Sequence, residues 1–135
     1  MIAREIAQYC QDSGIGIFAT SDPATRNIFV GEFPQAVNEG IYILEVGSPP
    51  PHEYVDTEYI VLDFWARSPK TDRAHTLLEN VYNTFHRNYD FQTANWHIYF
   101  SRSLGSIIDA DRDIENGKLF RLSIQFICRN LNNLS

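Results

Sequence analysis

Five kinds of residue in this 135-residue chain could do chemistry, and their spacing limits which chemistry that is. Gly14-Ile15-Gly16-Ile17-Phe18-Ala19 opens like a dinucleotide fingerprint, whose glycines serve because a strand leads in and a helix N-terminus receives the phosphate. Here a helical pattern precedes and an extended one follows, so no helix dipole points at a ligand, and the segment reads as a turn. Asp109-Ala110-Asp111-Arg112-Asp113-Ile114-Glu115 alternates acids as a calcium loop does. An EF-hand loop needs Gly at its sixth position and a bidentate Glu at its twelfth; Ile114 and Phe120 stand there, which makes this a solvated acidic loop. His75 and His86 are separated by about three helical turns, too far to share a zinc ion, and His52 and His97 fall on other segments. No Gly-x-Ser-x-Gly elbow frames a serine, and neither Cys10 nor Cys128 has an activating neighbour in sequence. Catalytic residues, cofactors and metal ligands are therefore not expected, and the chain does not read as an enzyme.

The remaining residues are those of a binding or structural protein, and composition bounds which one. At 15.6 kDa the chain reads as a single domain, residues 1–135, able to bury about 68% of its unfolded surface without disulfides. Cys10 and Cys128 fall on apolar faces, which favours buried free thiols and a reducing cytoplasm over a bridge. Arg4 and Glu5 stand where a signal peptide needs apolar residues, and no run approaches a membrane span of ~18 apolar residues, so a soluble, unexported protein with no membrane partner is expected. Net charge is −6, with −7 in residues 1–60 and +1 in the rest. That balance opposes sequence-independent DNA binding by counterion release. The acidic first half fits either a solvated surface or one side of a charge-complementary interface.

The elements that would position these residues follow from periodicity. Ile2, Ala3, Ile6, Ala7, Tyr9 and Cys10 make one stripe of a helix over 2–11, ended by Asp12-Ser13-Gly14. Ile15–Phe18 reads as a short strand or an extended arm. Arg26-Asn27-Ile28-Phe29-Val30-Gly31-Glu32-Phe33-Pro34 is a short apolar strand, buried on both sides, that stops at Gly31 and Pro34. Ile41–Val46 reads as a buried strand. Gly47–Thr57, with three consecutive prolines, cannot pair inside a sheet and projects as a loop. Glu58–Arg67 alternates Ile60, Leu62, Phe64 and Ala66 against Val61, Asp63, Trp65 and Arg67. Ser68 as N-cap and Pro69 at the first helical position predict a helix to about Arg87, with Ala74, Leu77, Leu78, Val81, Tyr82 and Phe85 on its buried face. After Asn88-Tyr89-Asp90, a strand over 95–100 places Trp96, Ile98 and Phe100 on one side. Ser101–Lys118 reads as a long loop of the functional kind. The closing strand alternates Phe120, Leu122, Ile124, Phe126 and Cys128 with Arg121, Ser123, Gln125, Ile127 and Arg129. The expected fold class is α+β: a mainly antiparallel sheet with two helices packed on one face and long projecting loops.

Aromatic residues make up 13% of the chain, and Tyr54, Tyr59, Trp65 and Tyr99 occupy positions that the core does not require. With Arg67 and Arg129 they are the residue types enriched at interface hot spots, the alternative being scattered core packing. The candidate contact residues are Pro49, Pro50, Pro51, His52 and Tyr54 of the Pro-rich loop, Asp109, Asp111 and Asp113 of the acidic loop, and Trp65, Arg67 and Arg129.

The layout also carries a resemblance. An opening helix, "IFVGEFP", "YILEVGS", a projecting loop, "EYIVLDFWARS", a helix with "AHTLLENVYNTFH", and the closing segment "SRSLGSIIDADRDIENGKLFRLSIQFICR" together resemble the tail terminator and minor capsid (tail completion) proteins of long-tailed bacteriophages. The resemblance implies a structural virion protein that forms a homo-oligomeric ring, usually a hexamer, at the head-proximal end of the tail. Such a ring caps the tail tube, ends its polymerisation and joins it to the head-side connector. Its partners would be the tube protein and the connector or stopper, with DNA passing through the channel without specific binding, after assembly in the host cytoplasm. The alternatives are a head–tail connector or stopper protein, or a small ligand- or metal-binding α+β domain.

Overall fold

The computed structural model describes residues 2–18, 25–31, 39–46, 57–110 and 118–131. Helix α1 spans Ile2–Asp12, and its apolar stripe of Ile2, Ala3, Ile6, Ala7 and Cys10 is buried. It ends in a Schellman motif: Ile15 N–H donates to the Cys10 carbonyl at 2.9 Å and Gly14 N–H to the Gln11 carbonyl at 3.0 Å. Gly14 takes φ 82°, which only glycine adopts without cost. Residues 16–18 form the extended arm and not a strand; the Asn27 and Ile28 N–H groups both donate to the Ile17 carbonyl.

Three strands follow: β1 (Ile28–Val30), β2 (Gly40–Val46) and β3 (Thr57–Ser68). Helix α2 (Thr71–Phe85) leads to β4 (Asn88–Gln92), β5 (Trp96–Ser103), β6 (Ile108–Asp109) and β7 (Lys118–Asn130). The sheet order is β1-β2-β3-β7-β5-β4, with β6 also beside β7. Only β1 and β2 run parallel among the described pairs, so the fold is α+β with a mostly antiparallel open sheet. Ile41, Ile43, Ile60, Leu62, Phe64, Ala66, Phe120, Leu122, Ile124, Phe126 and Cys128 form one core cluster with the buried residues of α1 and α2.

Several boundaries differ from the sequence expectation, each for a physical reason. Ser68 is not an N-cap. It is the last residue of β3, paired with Lys118, and its Oγ donates to Glu39 Oε1 at 2.8 Å. The same oxygen accepts from Lys70 N–H at 3.1 Å, so α2 starts at Thr71 with no side-chain cap. At the other end α2 stops at Phe85, because Arg87 enters the left-handed region at φ 58°. Asn88-Tyr89-Asp90 is the start of a strand, and the long loop over 101–118 is shortened by the end of β5 and by β6. In β2, Ile41 and Ile43 are buried, whereas Leu44 and Val46 alternate onto the opposite face and are exposed, as is Glu45 beyond the last β1 pair, Val30–Ile43. In β1 only Ile28 is fully buried.

The largest difference lies in β5. Its register against β7 shifts between Ile98 and Phe100, making Tyr99 a β-bulge. Phe100 therefore turns away from the core side that holds Ile98, and Ser101 takes its place, buried, with Oγ donating to the Phe85 carbonyl at 2.6 Å. In the facing strand, Asp90 sits at φ 49° and the pairing passes from Tyr89–Phe100 to Phe91–Ile98. Both strands change face at the same point.

The candidate interaction surface

Alternation along β3 and β7 leaves their second side chains on a face that the core does not use. Register aligns these side chains in rows. Tyr42, Trp65, Arg121 and Ile108 form one row, with Arg121 Cζ 5.5 Å from the Trp65 ring centroid. Leu44, Asp63 and Ser123 form the next, where Ser123 Oγ donates to Asp63 Oδ1 at 2.6 Å. Val46, Val61, Gln125 and Arg102 follow, with Arg102 Nε donating to Gln125 Oε1 at 3.1 Å. At the far end Thr57, Arg129, His97 and Gln92 align, and His97 Nε2 lies 3.8 Å from Asp90.

Trp65, Arg67 and Arg129 thus share one face, but Trp65 stands opposite Arg121, about 27 Å along β7 from Arg129. Trp65 is half-buried, and its indole Nε1 is enclosed without a hydrogen-bond partner among the described residues. Arg67 is only 5% exposed, so it belongs to the interior of the fold. Asp109 is exposed at the end of β6 and pairs with Lys118 Nζ at 3.2 Å. Pro49, Pro50, Pro51, His52, Tyr54, Asp111 and Asp113 lie outside the described residues.

Two glutamates hold the frame behind this face. Glu5 Oε1 accepts from Asn95 N–H and Thr93 Oγ1, both at 2.7 Å, and its Oε2 accepts from Asn95 Nδ2 at 3.1 Å, tying α1 to the β4–β5 turn. Burial pushes its pKa up, but these hydrogen bonds outweigh burial and hold the carboxyl below its ordinary value. Glu39 Oε1 accepts from Arg73 Nε at 2.6 Å as well as from Ser68; the Arg73 hydrogen bond chiefly lowers its pKa. Both cysteines are free and buried, and burial pushes each thiol up to about 12, so neither is a nucleophile in the folded chain.

An open groove of about 670 Å³ runs between α2 and residues 103–107, lined by His75, Glu79, Tyr82 and His86. His75 Nδ1 meets Glu79 Oε1 at 2.6 Å, and His86 Nδ1 accepts from Ser103 N–H at 3.1 Å. No cluster of three or more His, Cys, Asp or Glu side chains is placed to hold a metal ion among the described residues. No described helix is long and apolar enough to cross a membrane. The arrangement offers contact chemistry: aromatic faces, arginine forks and exposed sheet residues. The turn of Phe100 at the β5 bulge escaped sequence reading, and only the left-handed backbone and register shift reveal it.

The family model of the bacteriophage tail terminator protein matches residues 6–130, and the chain belongs to that family. Membership makes it a phage tail component that works with other tail components. No curated protein matches the chain.

Proposed function

We propose that this chain is the subunit of a closed ring, a homohexamer, that caps the head-proximal end of a phage tail tube, ends its polymerisation and joins it to the head-side connector. The whole chain acts as one domain in this role and catalyses nothing. The observation that carries the reading is the family match over 6–130, which takes in all but the first four residues of α1 and extends to the end of β7. Ring closure needs a heterologous interface, one surface meeting a different surface of the next copy with a rotation that returns to the start. A sheet face of arginines and aromatics on a chain of net charge −6 supplies two dissimilar surfaces.

DNA crosses such a ring without being gripped. The described residues carry ten acids and ten bases, so the net −6 belongs to the other segments, which hold seven acids and only Arg112 as a base. Acids facing a passage repel the duplex over about 8 Å at physiological ionic strength, which centres it and lets it slide. Disrupting the gene in the phage should give tubes of uncontrolled length with no terminal ring, visible by negative-stain microscopy. Tubes of normal length that fail only to join heads would overturn this reading in favour of a connector or stopper.

A further inference from the structure

Strand β5 runs on past the end of its neighbour β4, and one side chain covers the edge that this leaves. The β4–β5 ladder ends at the Asn88–Ser101 pair. Beyond it, successive N–H groups of the β5 chain point to alternate sides: Leu104 donates to the Ser123 carbonyl of β7 at 2.9 Å, and Ser103 points toward the β4 side. Carried two residues past Asn88–Ser101, the same register sets His86 opposite Ser103, where a continuing strand would offer a backbone carbonyl. The chain leaves the ladder there instead, since α2 ends at Phe85 and Arg87 turns it at φ 58°. The His86 side chain supplies the missing rung, its Nδ1 accepting from Ser103 N–H at 3.1 Å. Two contacts aim the ring. His86 N–H donates to the Tyr82 carbonyl at 2.8 Å, and the Tyr82 and His86 rings stack with centroids 4.6 Å apart.

A backbone amide only donates, so the nitrogen facing Ser103 carries a lone pair and the ring is the neutral tautomer with its proton on Nε2. A proton added at Nδ1 turns that acceptor into a second donor and sets two N–H groups against each other. The ionisable groups around the ring come from three elements. From α2, His75, Glu79 and Tyr82 line the same groove, and Glu79 Oε1 lies 2.6 Å from His75 Nδ1. Arg87, next to His86, is exposed, and Arg102, next to Ser103, donates to Gln125. Residues 103–107 bring no ionisable side chain, and the β7 residues beside them are Ser123 and Ile124. Glu79 is the one carboxylate in this set, and it is already paired with His75.

We infer that His86 is a proton-operated guard of the β5 edge. Neutral, its imidazole holds Ser103 and closes the strand against the end of α2. Protonated, it releases Ser103 and bares an unpaired strand edge, the kind of backbone on which another chain can pair. The device goes beyond the terminator reading and stands or falls apart from it.

The test is an NMR titration of the full-length protein that follows the His86 ring nitrogens together with hydrogen exchange of the Ser103 and Leu104 amides. Ser103 protection, taken relative to the intrinsic exchange rate, should fall about fivefold or more, the worth of one hydrogen bond, as the ring takes up its proton between about pH 8 and pH 5. Leu104, bonded to Ser123, should keep its protection over the same range, which separates the release of one rung from general loosening in acid. His86→Asn, whose side chain does not titrate, should remove the pH dependence. His86→Phe keeps a ring to stack on Tyr82 but has no acceptor, and should leave Ser103 unprotected throughout. The wild-type titration decides the matter even if neither variant folds. A proton on Nδ1 at the alkaline end, a ring still neutral at the acid end, Ser103 protection that ignores protonation of the ring, or the same pH dependence in His86→Asn would each overturn the inference.

Discussion

Strands β3 and β7 carry two faces built from adjacent residues, and the two differ in what they ask of a side chain. On one, Leu62, Phe64, Leu122, Ile124 and Phe126 are fully enclosed with Phe85 of α2, whose ring lies 5.4 Å from Phe126 and 5.8 Å from Phe64. On the other, Tyr59, Trp65, Arg121, Ile127 and Arg129 stay exposed or half-buried. The first face needs only apolar volume, since close packing constrains size more than identity. The second carries two arginines and two large aromatics that the core does not enclose, Arg121 lying over the Trp65 ring at 5.5 Å.

The comparison breaks if both faces respond alike to truncation. Phe126→Ala should cost about 3–5 kcal/mol of unfolding free energy in a urea melt, since it removes a buried ring and leaves a cavity. A loss below ~1 kcal/mol would mean that the core is not where the burial pattern puts it.

Gly40→Ala probes the sheet end next to the N-terminal arm. A Cβ there would lie 2.8 Å from the backbone oxygen of Asn27, which also accepts from Ile41 N–H at 2.8 Å. Backbone cannot swing aside as a side-chain tip can, so the expected cost is about 1–3 kcal/mol.

Glu5→Gln sharpens the contrast by testing a polar latch behind the core. The substitution should cost about 1–2 kcal/mol at pH 7, because hydrogen bonds to a charged acceptor exceed neutral ones. The sign with pH follows from the lowered folded-state pKa of Glu5. Its contribution is complete above the ordinary glutamate value of about 4.3 and is lost as pH falls through the lower folded value. Wild type and variant should therefore converge in denaturant melts below that range; a gap constant from pH 7 to 3 would contradict the hydrogen-bonded carboxylate.

The smallest effect is expected on the open face. Tyr89→Ser should change the stability of the fold by less than about 0.5 kcal/mol, as exposed substitutions do. A thermal melt showing a loss as large as that of Phe126→Ala would make Tyr89 part of the core and erase the difference between the faces.

Much of this fold was legible because its periods are clean. The stripe of α1, the alternation of β3 and β7 and the buried face of α2 were each set by neighbours three, four or two residues away. The free, buried thiols followed from the same faces. Legibility failed where one residue had two suitors. Ser68 has the type and position of an N-cap, yet Glu39, 29 residues upstream, accepts its hydroxyl's hydrogen bond. Arg67 reads as an exposed interface arginine and lies in the interior. The short β4 was hidden because Asp90, at φ 49°, breaks its alternation.

Length, acidity, helix stripes and period-two strands come from the sequence alone, because each is fixed by local geometry and by burying apolar faces. Strand order, the parallel β1–β2 pair and the turn of Phe100 out of the core were decided by tertiary structure. A bulge is a local loss, one residue left out of the ladder, and no local pattern favours it. It persists because Ser101 reaches the Phe85 carbonyl and Phe100 meets Tyr89 and Ile127, partners that only the folded sheet brings within reach.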